Sequence, residues 1–97
     1  MGGRREHMHG SIIERFLRER REAVESFDVE HFKKFVLKWQ ELGFYEKRPL
    51  PSDQVCEITI YKMAVNMEDV SERSQKKARA WLKLNGYDEE IYYPEGG

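Results

Sequence analysis

The strongest constraint on this chain is a phrase that it uses twice. Residues 38–46 read KWQELGFYE, and residues 80–89 read AWLKLNGYDE. In each, a tryptophan is followed three positions later by a leucine, then by a glycine, then by an aromatic residue. This is how a helix stops. Glycine takes the left-handed backbone that reverses the chain, and the residue after it folds back on the last turn. Two such stops, at Gly43 and Gly86, mark two helix pairs, each an αα-hairpin. Trp39 and Trp81, 42 positions apart, are both expected to be largely buried near their helix C termini. A diverged duplication would also produce the similarity, although the first and third helices do not resemble each other. The run WQELG matches the opening W-x-x-L-G of a tetratricopeptide repeat, but a proline follows within six residues of Gly43 and the later alanine and phenylalanine positions are absent. No family is assigned from it.

The remaining boundaries come from caps. Ser11 and Glu14 fit a capping box, so the first helix is expected to start at Ser11. Residues 1–10 are expected to be a disordered leader or an appended expression segment, 11–93 the helical domain, and 94–97 a disordered tail. Ile12, Ile13, Phe16, Leu17, Ala23, Val24 and Phe27 share one arc of the first helix. Pairs such as Arg15–Glu19 and Arg21–Glu25 lie four apart on the other side, as a solvated face requires. Asp28 caps a second helix from about Val29 to Leu42, whose arc is Val29, Phe32, Phe35, Val36, Trp39 and Leu42. Pro49 and Pro51 forbid its continuation. Ser52 or Asp53 caps the third helix, to about Met67, and Ser71 begins the fourth.

The third segment, CEITIYKMAVNM, is rich in strand formers. Cys56, Ile58 and Ile60 alternate, but the next apolar set is Tyr61, Met63, Val65 and Met67. That change of parity does not suit a half-buried strand. On a helix the same residues make two apolar flanks around a narrow polar wedge of Thr59, Lys62 and Asn66. The expected fold is therefore all-α, a small four-helix bundle built from two αα-hairpins.

Composition excludes several function classes. The chain has 97 residues, one cysteine and a net charge of −1, so it is a single domain without an internal disulfide or a C-x-x-C zinc pattern. No apolar run approaches the ~18 residues of a membrane span, and there is no secretory h-region. The expected setting is cytoplasmic. Histidines do not cluster, no glycine-rich phosphate loop occurs, and no nucleophile is paired with a base. The chain is not expected to be an enzyme, and no cofactor or metal is implied.

Binding surfaces are the better prospect. The third helix is apolar over more of its circumference than one packed face needs. Its flank of Cys56, Ile60, Met63 and Met67 is either the centre of the core or the seam of a dimer. Tyr92 and Tyr93, near the C terminus, either dock on the bundle or meet a partner. Arg20 and Glu57 each interrupt an apolar arc, and a buried ion pair between them would settle both charges. On the fourth helix, Arg73, Lys76, Arg79 and Lys83 form a basic stripe. The expected function is a small intracellular protein-binding module, self-association included. The alternative is a nucleic-acid-binding regulator that uses the stripe.

Overall fold

The computed structural model describes the backbone of residues 2–91 and the side chains of residues 11–91. Four helices follow one another: α1 (Gly2–Glu25), α2 (Val29–Glu41), α3 (Asp53–Asn66) and α4 (Glu72–Leu84). No strand occurs among the described residues. The segment CEITIYKMAVNM is helical, as its parity requires. α3 packs against each of the other three helices. That central position explains why it is apolar on two sides.

Three helix starts match their caps. The Asp28 carboxylate accepts from the amides of Glu30 and His31. The Ser52 and Ser71 hydroxyls accept from Val55 and Ser74. Each satisfies amides that the first turn leaves without a carbonyl. The expected start at Ser11 is not observed. α1 runs through it to Gly2, so Ser11 lies inside the helix. No proline upstream stops the helix, and a capping box has nothing to cap where the backbone simply continues.

Both predicted stops are present. Gly43 and Gly86 have φ of 84° and 78°. The Phe44 amide donates to Trp39 O at 2.8 Å, and the Tyr87 amide to Leu82 O at 2.9 Å. With the bonds Gly43 N–Gln40 O and Gly86 N–Lys83 O, both are Schellman closures. The registers differ by one residue. The first closure bonds back to Trp39, the second to Leu82 and not to Trp81. One residue is about 100° of helix rotation. Trp39 is accordingly fully buried, Leu82 takes the equivalent buried place, and Trp81 is only half-buried. The expectation of two equivalent tryptophans is corrected on this point. Trp81 instead lies flat on Tyr61, with ring centres 4.0 Å apart, and Tyr87 stacks beside it at 6.0 Å.

The core joins Ala23 and Val24 of α1, Phe32, Phe35 and Trp39 of α2, Cys56, Ile60, Tyr61 and Ala64 of α3, and Ala78 and Leu82 of α4. Phe27, in the α1–α2 turn, has φ of 51°. A bulky side chain rarely adopts that conformation. Here it brings the ring to 4.8 Å from Tyr61 and 4.3 Å beneath Lys77 Nζ.

Candidate binding surfaces

Two carboxylates of α1 hold the bundle in register. Glu19 accepts from Lys38 Nζ at 2.8 and 2.9 Å, from Arg15 Nε at 3.0 Å and from the Trp39 indole at 3.1 Å. Burial pushes its carboxyl up. The bonds from Lys38, Arg15 and Trp39, with the Lys38 charge, outweigh that and bring it down to about 2. Glu25 reaches the start of α4. It accepts from the Ser74 hydroxyl at 2.8 Å, the Ser71 hydroxyl at 3.0 Å and the Ser71 amide at 3.4 Å. Burial again opposes and the bonds again prevail, so its carboxyl is also lowered. Sequence reasoning placed both glutamates in surface pairs. The Arg15–Glu19 pair does form, but the second set of partners comes from other helices. For Glu19 a signal existed: it lies three after Phe16 and four before Ala23, in the buried column.

The predicted α3 flank is core over most of its length. Cys56, Ile60 and Met67 are buried within the chain, so they offer nothing to a partner. The Cys56 thiol lies 3.7 Å from Pro51 O, and burial pushes its pKa up. That is the reverse of what a nucleophilic thiol needs. Met63 alone is half-buried and lines a groove. Tyr92 and Tyr93 lie outside the described residues. The stretch before them folds back on α3 and α4: Lys62 pairs with Asp88 at 3.2 Å, and Asn66 Nδ2 donates to Glu89 O at 2.7 Å.

The predicted Arg20–Glu57 pair does not form. Arg20 opens toward Thr59 and Met63 of α3. Glu57 is on the other side of that helix, roughly 160° from Thr59 at 3.6 residues per turn, beside Tyr61 and raising its pKa after burial has done so. The Arg20 Nε is buried without a hydrogen-bond partner. Its guanidinium carbon stands 5.8 Å from the centre of the Phe16 ring.

On α4, Arg73, Lys76, Arg79 and Lys83 are exposed. Arg79 already faces Glu89, at 3.6 Å. Among the described residues no set of three or more histidine, cysteine, aspartate or glutamate side chains is placed to hold a metal ion. No helix among them is long and apolar enough to cross a membrane.

One surface was not foreseen. Phe16 of α1 meets Trp39 at 5.1 Å, and Phe44 stacks on it at 4.8 Å. The end of α2 is thus level with Phe16, and the earlier residues of α1 project past it. Ile12, Ile13 and Leu17 keep 37%, 43% and 41% of their surface exposed, next to a Phe44 that is also exposed. Sequence periodicity placed these residues on the core arc, and the structure leaves them exposed. It could not show that α2 ends too early to cover Ile12 and Ile13.

No protein-family model matches the chain, and neither a curated protein nor a solved structure gives a match. The geometry alone carries the functional reading.

Proposed function

We propose that this chain is a small helical protein–protein interaction module that self-associates through the N-terminal half of α1. The overhang carries this reading. Ile12 and Ile13, with Leu17 beside Phe16, continue the apolar row that Ala23 and Val24 bury lower down, and each keeps more than a third of its surface exposed. Clustered apolar side chains left in water favour a covering partner. A second copy suits the surface electrostatically: from Ser11 to Glu25 the helix carries four acids and four bases, so two copies meet without net repulsion. A two-fold interface would place the same row of each copy against the other. The cytoplasm is the setting we propose for a chain with one cysteine and, among the described residues, no helix able to span a membrane.

The basic stripe of α4 supports nucleic-acid binding less well, because Glu89 draws on Arg79 and Lys83, in the last turn, is a cation that a helix C terminus favours in any case. Binding of that kind would fall steeply with salt.

The test is light scattering coupled to size exclusion on Ile13→Asp beside the unaltered chain. The expected result is a dimer for the unaltered chain and a folded monomer for Ile13→Asp, with unchanged helical circular dichroism. An unaltered chain that remains monomeric at millimolar concentration would overturn the reading.

A further inference from the structure

The geometry points to a ligand site, separate from the α1 overhang: the groove around Arg20 takes a small monocarboxylate with an apolar body, its carboxylate on the guanidinium. The groove has a volume of about 310 Å³ and draws its walls from all parts of the fold except α4. Phe32 and Val36 come from α2, Met63 from α3, Tyr45 from the α2–α3 connection and Ile91 from the C-terminal stretch. Thr59 contributes a hydroxyl that already donates to Val55 O at 2.8 Å. Among the described residues Arg20 is the only charged one of the lining.

Two features select the ligand. The first is charge. A guanidinium carries a positive charge, and the described residues of the lining include no carboxylate. Its Nε is buried without a partner, an arrangement that native interiors rarely tolerate. A ligand that brings its own negative charge compensates the guanidinium from the groove side. A carboxylate matches the planar fork of a guanidinium with two parallel bonds, here to its terminal nitrogens. The second feature is shape. The remaining walls are chiefly aliphatic and aromatic. A cavity of ~150 Å³ holds a benzene ring, so this groove has room for a body of roughly ten carbons. Ligand sites of this size, apolar with one convergent polar group, are the common form for small molecules. The two features occur at one place because Arg20 interrupts the α1 arc where α2 and α3 diverge. A salt bridge within the protein would have filled the position, and Glu57 is on the wrong side of α3 to supply it.

The site is tested by titrating the full chain with decanoate and, separately, with decanol, followed by calorimetry and by methyl NMR shifts at Met63 and Ile91. Decanoate is expected to bind saturably with one-to-one stoichiometry and to shift both methyl groups, and decanol to bind at least tenfold more weakly. Arg20→Met keeps the apolar stem and removes the fork, and should weaken decanoate at least tenfold while leaving decanol unchanged. Arg20→Lys should recover only part of the loss. Met63→Trp fills the groove from a different helix and should abolish decanoate binding with the helical spectrum intact, so the outcome does not hang on one variant. Equal affinity for decanol, undiminished decanoate binding in Arg20→Met, or no saturable binding of decanoate would each overturn the proposal.

Discussion

Glu19 accepts from three side chains, Lys38 and Trp39 on α2 and Arg15 one turn before it on α1. Its worth lies in the indole bond as much as in the ion pairs. Exposed ion pairs contribute little, but the Trp39 N–H is inside the protein and would otherwise lack an acceptor. Glu19→Gln should therefore destabilise the fold by about 1–2 kcal/mol, as the loss of hydrogen bonds to a charged group does. The pH dependence follows from the sign of the shift. The folded carboxyl titrates at about 2, below its ordinary 4.5, so folding favours the charged form. That stabilisation is complete above the unfolded value and drains away as pH falls from about 4.5 toward 2. Thermal melts across this range should show a falling midpoint, with a shallower fall in Glu19→Gln. Equal slopes would mean that Glu19 does not contribute to the acid limb. Glu25 acts with the same sign and keeps some slope in the variant.

At the scale of elements, most of the architecture was legible. Asp28, Ser52 and Ser71 cap helices where their sequence context says they should, because a cap is a local bond between neighbours in the chain. The helical reading of α3 also rested on a local fact, the parity change after Ile60. What failed was information that only the assembled fold holds. The two closing phrases align by eye on their tryptophans, yet the glycines are 43 apart and the tryptophans 42. That single residue turns Trp81 out of the core and puts Leu82 in. Stability should follow the closure and not the phrase. Trp39→Ala should cost ~3–5 kcal/mol and Leu82→Ala ~2–5 kcal/mol, as truncations of buried side chains do. Trp81→Ala should cost less than Trp39→Ala, because its ring is only partly buried and the loss is mainly the stack on Tyr61 and Tyr87. Chemical denaturation of the three variants checks the order. A Trp81→Ala loss equal to that of Trp39→Ala would restore the equivalence that the two phrases suggest. The Arg20–Glu57 pairing failed for the same reason. Each residue was correctly seen to interrupt an apolar arc, but the side of α3 that meets α1 is a tertiary fact.

For the whole molecule, α3 is the hub and α1 the outlier. α3 is wrapped by the other three helices, which uses most of the apolar surface that made it look like an interface. Large apolar side chains stay exposed elsewhere, at Leu37, Leu42, Val55 and Leu84 and, on α1, at Leu17 and at Ile12 and Ile13 beyond the end of α2. A 24-residue helix is ~36 Å long and a 13-residue helix ~20 Å, so the hairpin cannot cover both ends of α1. The site on α1 was thus half legible: the apolar row is in the sequence, and the missing cover is a matter of relative helix length. Exposed apolar surface at this place links association to folding, since two folded copies can bury it together and unfolded chains cannot. Any such coupling makes stability depend on protein concentration.

The most direct measurement is the thermal midpoint of the unaltered chain at two protein concentrations a hundredfold apart, in one buffer. Self-association through α1 predicts a clearly higher midpoint in the concentrated sample, and no such shift for Ile13→Asp. A midpoint that is the same at both concentrations in the unaltered chain would contradict the account.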